Sequence, residues 1–302
     1  MDRTRRTRAS RRTPRTLTIA TAVVLLLVSA SAVYATWSII AIDRRTGQVV
    51  IASATCVPQG RFAGFPAKGL MDIQAIVVPG VGVAAAQAGV DNTRQNQELI
   101  YRELRAGTAP ADIIEKLRAD SLVERRQFGI VDRQGRSAGF SGARNGEVSL
   151  DMQDRVPGTD IVFSVQGNIL ASDEVVYQAA RAMRESGGTI LDRVMAAMEA
   201  ANREGGDRRC TCASEPATAS AQMCSLRTSH VAYLLAADSS DPSGAAFNDG
   251  QYRLFLNVTD ENIRPDESPD PVTTLRMRYD AWKRDQGGGS TAATAAKTTF
   301  YR

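Results

Sequence analysis

Thr36 carries the most chemistry in this chain, because of the residues in front of it. Val33-Tyr34-Ala35 ends an apolar leader with compact residues at the last and third-last positions, the pattern a signal peptidase cuts after. Cleavage there leaves Thr36 as the N-terminal residue, its hydroxyl a nucleophile and its own α-amine the general base. An α-amine titrates at about 7.7–8.0. A neutral fraction therefore exists near neutral pH to take the hydroxyl proton and return it to a leaving amine. The same residue also reads as the plain start of a strand, Thr36 to Ile42.

Other groups stand further along. Gln166-Gly167-Asn168 closes a predicted strand, where the glycine lets the backbone turn and amides face a developing oxyanion. The competing reading there is a tight strand-to-helix connection. Asp207 and Arg208 follow Gly205-Gly206 on a loop beside two cysteines. They suit orienting the Thr36 amine and holding an anionic substrate group, or pairing with each other. Cys210 and Cys212 are too close in sequence to bond to each other without strain. Two pairings remain: Cys210–Cys224 with Cys56–Cys212, or Cys212–Cys224 with Cys56–Cys210. A four-thiolate zinc site is the rival reading, disfavoured by C-x-C spacing where C-x2-C is usual and by the oxidising fate of exported thiols. No metal and no cofactor is expected.

Several chemistries are closed by composition. His230 is the one histidine and sits beside an apolar run, where it reads as a packing or edge residue. A Ser-His-Asp hydrolase would depend on it, and Gly139-Phe140-Ser141-Gly142 misses the G-x-S-x-G spacing. Neither a P-loop nor a dinucleotide fingerprint occurs. Asn257-Val258-Thr259 matches a glycosylation sequon, but its neighbours predict a strand.

The leader explains the charge. Seven arginines against one aspartate in the first 15 residues, and no charge from 16 to 35, turn a net charge of +4 for the whole chain into −2 from Thr36 onward. The remaining basic residues are scattered, which excludes nucleic acid as a partner. The apolar centre, Val23 to Val28, is short against the roughly 20 residues a membrane span needs. Residues 1–35 are therefore expected to be a signal peptide, with a weak twin-arginine resemblance at Ser10-Arg11-Arg12. The mature protein would be secreted or periplasmic with no stable membrane span; an uncut, outward-facing N-terminal anchor is the alternative. Residues 36–284 suffice for one large domain, and 285–302, rich in Gly, Ser, Ala and Thr, for a flexible tail.

The elements alternate in blocks. Hairpins are predicted at Thr36–Ile42 with Gln48–Thr55, at Ile73–Val78 with Val81–Gln87, and at Gln127–Asp132 with Ser137–Phe140. Between the second and third, helices are predicted over Asn92–Ala106 and, with Thr108 as N-cap, from Pro110. Ile161–Val165 reads as a strand, Ser172–Glu185 and Thr189–Arg203 as helices, Val231–Ala236 and Tyr252–Val258 as strands. Asp270-Pro271 opens a last helix. Helices arriving in pairs between antiparallel strands predict an α+β fold: a four-layered α/β/β/α sandwich of two antiparallel sheets flanked by helix pairs.

A set of motifs resembles the family called domain of unknown function 1028. They are Thr36-Trp37-Ser38-Ile39-Ile40-Ala41-Ile42-Asp43, Ala85-Ala86-Gln87-Ala88-Gly89, Gln127-Phe128-Gly129-Ile130-Val131-Asp132, Val165-Gln166-Gly167-Asn168-Ile169-Leu170, Gly205-Gly206-Asp207-Arg208-Arg209 and Pro269-Asp270-Pro271. The resemblance covers nearly all of residues 36 to 284. That family is grouped with the N-terminal-nucleophile (Ntn) hydrolases, which implies the same sandwich and points to Thr36 as nucleophile and Gln87 as a site residue. It implies for Lys68 the role of a lysine that lowers the nucleophile's pKa, although the loop around Lys68 looks inserted relative to the family, which favours a solvated surface charge instead. A Ser-Arg-like pair is expected after the second strand; here it is Thr55-Cys56.

The function expected is an exported Ntn-type amidohydrolase acting on a small-molecule or peptide-like amide. A non-catalytic extracytoplasmic binding module of the same fold, for a cell-wall ligand, is the alternative. Ntn relatives often assemble, which raises a homo-oligomer, but the sequence offers no contact surface for one.

Overall fold

The structure is a computed structural model and describes residues 35–64, 67–210 and 227–287. Its first strand decides the rest. In β1 (Thr36–Asp43) side chains alternate between faces, and both faces are buried. Trp37, Ile39 and Ala41 pack into one apolar cluster, while Ile40 and Ile42 pack into another. By the same parity Thr36 and Ser38 share the second face.

β1 lies inside a six-stranded antiparallel sheet between β2 (Val49–Thr55) and β8 (Ile161–Asn168). β9 (Val231–Ala237) and β10 (Leu254–Thr259) extend it beyond β2, and β7 (Leu150–Arg155) beyond β8. The second sheet is β3 (Ala75–Val78), β4 (Gly82–Ala88), β5 (Arg126–Asp132) and β6 (Ser137–Ser141), antiparallel in that order.

Three apolar clusters cement four layers. Ile40, Ile51, Val77, Val83 and Leu235 join the two sheets. On the outer face of the six-stranded sheet lie α4 (Glu174–Glu185), α5 (Ile190–Arg203) and α6 (Pro271–Gly287), contributing Val176, Met195 and Leu275. α2 (Gln95–Arg105) and α3 (Pro110–Leu117) cover the four-stranded sheet with Ile100, Leu104 and Ile113 against Ile76, Phe128 and Ile130. Burial of each such side chain stabilises by about 1.5–3 kcal/mol. The expected α/β/β/α sandwich is the architecture found.

Differences from the sequence reading are local. Leu70–Gln74 forms a short helix, α1, so the strand expected from Ile73 begins at Ala75. β7 was not anticipated. Its apolar residues, Leu150 and Met152, pack toward the helices, whereas Asp151 and Gln153 bond Ser141 and Ser164. Thr108 does not cap α3: Ala109 holds the N-cap position, and the Thr108 hydroxyl donates to Glu103. Thr189 does cap α5, in a capping box with Asp192. α6 runs on to Gly287, past the expected end of the domain, and the rest of the tail lies outside the described residues. Residues 1–34 do as well; no helix among the described residues is long and apolar enough to cross a membrane.

Three carboxylates tie the outer layers down and set an acid limit. Hydrogen bonding from Lys116 draws Glu103 from an ordinary 4.5 to about 2, and Arg278 does the same for Glu267. Burial works against ionisation of Asp192, but Lys283, Thr189 and Tyr279 together bring it to about 2. Depressed folded values mean that the stabilisation is complete above the unfolded values and is lost as pH falls through the folded ones. Urea midpoints should therefore stay level on account of these groups from pH 6 to 9 and fall between about pH 4.5 and 2. Glu267→Gln should flatten part of that fall.

Candidate active site

Thr36 stands at the head of β1, opposite Thr55 of β2 and Asn168 of β8. Both hydroxyls point into the gap between the sheets, with Thr36 Oγ1 3.4 Å from Thr55 Oγ1. Thr36 is 3% exposed and Ala35 is fully buried. The Ala35 carbonyl accepts from Thr55 Oγ1 at 2.6 Å and from the Arg209 guanidinium at 2.9 Å.

Beneath Thr36 runs a polar network inside an otherwise apolar interface. Gln87, on β4, uses all four of its hydrogen-bonding positions. Its Oε1 accepts from Ser38 Oγ and Gln74 Nε2, both at 2.6 Å. Its Nε2 donates to the Thr36 carbonyl at 3.1 Å and to Gln127 Oε1 at 2.7 Å. Gln166 Nε2 donates to Ser38 Oγ at 2.6 Å, and Gln166 Oε1 accepts from Ser164. Gln127 Nε2 reaches the Gly167 carbonyl at 2.8 Å, and Tyr233 donates to Gln74. Full satisfaction is what lets amides lie between two sheets, and it fixes each one's orientation. Gly129 on β5 makes room for it: a Cβ there would collide with the Gln166 amide.

Removing the hub tests the network. Gln87→Leu orphans two donors and two acceptors in a buried interface, each a cost of about 1–3 kcal/mol. Its unfolding free energy should drop by about 3 kcal/mol or more in urea titration. Gln87→Glu should fall too, since a carboxylate cannot donate to the Thr36 and Gln127 oxygens.

A loop reaches the same spot from the far side. Asp207 is fully buried and accepts from the Cys56 N–H at 2.8 Å. Arg209, not Arg208, pairs with it, Nε to Oδ1 at 3.1 Å and Nη2 to Oδ2 at 2.7 Å. Arg208 turns outward to Glu147 at 2.6 Å. The fold thus brings Gln87, Gln166, Gly167, Asn168 and Asp207 around Thr36 and leaves Arg208 at the surface. Lys68 is exposed and does not line the crevice beside Thr36; its backbone N–H donates to Asp72. Arg209, Gln74, Gln127 and Gln97 were not singled out from sequence. Arg209 lay within the resemblance motif, one place beyond the arginine picked.

Gly206 allows the loop its approach. It adopts φ +51°, and a Cβ there would lie 2.5 Å from the Trp37 ring. Cys56 and Cys210 form a disulfide with Cα atoms 5.6 Å apart. This is the pairing that leaves Cys212 for Cys224, and both of those lie outside the described residues. His230 sits beside the bridge, its Nδ1 3.3 Å from Asp260. Burial acts against the Asp260 carboxylate, but bonding from His230 and the Gln59 N–H holds it below its ordinary value. Sulfurs joined to each other are not thiolates, so in this state the cluster lacks the donors a zinc site needs.

From Thr36 a narrow crevice of about 20 Å³ extends between α1, α2 and the end of β4. Phe62, Leu70, Ile73 and Phe128 wall it, and Gln97, Asp91 and Arg126 supply polar groups. β4 ends there in a left-handed Ala88, φ 69°, a strained turn immediately after Gln87.

Two antiparallel sheets between helix layers, with a threonine at the head of a central strand facing the gap, define a four-layered α+β sandwich with an intersheet site. The chain belongs to the family of unknown function DUF1028, whose model matches residues 36–245. The crystal structure of protein SPO2555 from Silicibacter pomeroyi, of the same family, has a similar fold, with a TM-score of 0.56 at 22% identity. The match covers 82% of this chain and 88% of that one. None of the curated proteins matches.

Proposed function

We propose that this chain is an exported N-terminal-nucleophile hydrolase of a small amide or peptide-like bond, with Thr36 Oγ1 as the nucleophile once the chain is cut after Ala35. One observation carries the reading. The Ala35–Thr36 peptide lies at the head of the central strand, the Thr36 hydroxyl lines the crevice, and two donors grip the carbonyl that cleavage removes. The family match begins at the same residue.

In this mechanism Oγ1 bonds to the acyl carbon while its proton passes to the Thr36 α-amine. The carbonyl electrons move to oxygen, and the buried Asn168 amide, the cross-strand neighbour of Thr36 on the same face, is the proposed donor to that oxyanion. Collapse expels the leaving amine, which takes the proton from the α-amine. Water then repeats the sequence and releases the acid. Gln87 acts as a positioning residue through the Thr36 carbonyl, and Asp207, paired with Arg209, holds the Cys56 N–H at the end of β2 beside it.

Intact mass and N-terminal determination on protein recovered from outside the cytoplasm test the reading. A free amine on Thr36 is the expected result. A start at any other residue leaves the hydroxyl without its base and sinks the proposal.

A further inference from the structure

We infer that the crevice beside Thr36 is a substrate pocket for a short, neutral, apolar-bodied group ending in a hydrogen-bond donor, received by Gln97 Oε1. The inference rests on Thr36 as the reacting residue and names what the site takes.

Gln97 projects from α2 and is 2% exposed. Its Nε2 donates to the Ile73 carbonyl at 2.8 Å, which fixes the amide orientation, because the flipped form would set two oxygens against each other. Oε1 is then buried with no hydrogen-bond partner among the described residues. A buried acceptor without a donor is a net cost that native cores seldom carry, and one on a residue that lines a crevice calls for a ligand or a water.

The neighbours decide the character of that ligand. Phe62, Leu70, Ile73 and Phe128 give it apolar walls. The two charged groups in the lining are already occupied. Asp91 accepts from the Thr93 N–H and hydroxyl and from the Asn96 N–H, while Arg126 donates to Asp120 and to the Gly89 carbonyl. Burial pushes Asp91 up, but these bonds and Arg126 keep it below its ordinary value, so it remains a carboxylate, with Arg94 and Arg126 as the cations that interact with it. A charged ligand finds no uncompensated partner here, whereas a neutral donor finds Oε1. The void of about 20 Å³ admits one water-sized polar group as it stands. A carboxamide or hydroxyl end on a short chain meets all of these conditions.

Binding separates this pocket from the chemistry. Butyramide and 2-pentanone differ by NH2 against CH3 at nearly equal volume. Ligand-observed NMR titration on the Thr36→Ala full chain, which lacks the nucleophile, should give butyramide a Kd about 5-fold lower or better, the scale of one hydrogen bond. Gln97→Met should bring the two Kd values within about 2-fold. Gln97→Glu, which keeps an acceptor, should retain the preference and guards against a fold made unstable by methionine. Equal affinities in Thr36→Ala, with an ordered water alone on Oε1, overturn the pocket. So does a preference that survives Gln97→Met. If the mature protein hydrolyses amides while the affinities are equal, only the pocket fails. If the preference holds while authentic Thr36 protein is inert, only the nucleophile reading fails.

Discussion

Thr36→Ala, with the residues before it left unaltered, is expected to abolish amide turnover, a loss of about 10⁴-fold or more in the rate of amine release. Thr36→Ser should retain measurable activity, because it keeps both the oxygen and the amine. The loss should not be a folding effect. Among the described residues the Thr36 side chain makes one hydrogen bond, the long 3.4 Å contact to Thr55, and alanine suits the buried start of a strand. Thermal midpoints of parent and variant should therefore agree within a few degrees. The pH profile gives a second check with a definite sign. A protonated α-amine cannot take the hydroxyl proton, so the rate should fall about tenfold per unit below an apparent pKa of about 7.7–8.0. A rate independent of pH from 6 to 9, or undiminished turnover in Thr36→Ala, would show that the chemistry lies elsewhere.

The gap-facing polar residues mark where sequence reasoning stopped. The strand at Thr36 was plain from its apolar run, and the paired helices were plain from their periodicity, because apolar residues announce the faces they bury. Gln74, Gln127, Gln166, Ser164 and Asp151 sit at inward positions, where a strand pattern assigns apolar residues to the interior and polar ones to solvent. Their partners come from other strands, often across the gap, so no local window contains the information that they are satisfied. β7 is missed for that reason: Asp151 and Gln153 interrupt the apolar pattern of a half-buried edge strand. Arg209 against Arg208 is a matter of side-chain direction in a short 3-10 turn, which a glycine-rich loop sequence does not specify. Gln166, Gly167 and Asn168 stand out in the sequence because they close a predicted strand at a glycine, and the pairing of β8 with β1 then sets Asn168 opposite Thr36. Register alone carries such a placement from sequence to site.

The second large effect concerns the Cys56–Cys210 bridge, which closes a loop across a sequence separation of 154 residues. A loop of that length costs the unfolded chain about 5 kcal/mol of closure entropy in the simple model, and measured bridges more often return about 2–4. At about 2–4 °C per kcal/mol for a domain of this size, reduction should lower the thermal midpoint by roughly 10 °C. Cys56→Ser with Cys210→Ser should do the same, and any further response of that double variant to reductant would report on Cys212 and Cys224. Activity should suffer as well as stability. Cys56 directly follows Thr55, whose hydroxyl meets Thr36 Oγ1, and Cys210 directly follows Arg209, which pairs with the Asp207 carboxylate that holds the Cys56 N–H. The Asp207 bond to the Cys56 N–H remains after reduction and keeps the loop near its place. The bridge therefore limits how far the loop strays rather than creating the contact. The reduced protein should lose activity by a modest factor, restored on reoxidation, while Asp207→Ala in oxidised protein loses more. A midpoint unmoved by reductant would mean that the bridge contributes nothing to the fold, and the loop's hold on the strand head would then rest on Asp207 and Arg209 alone.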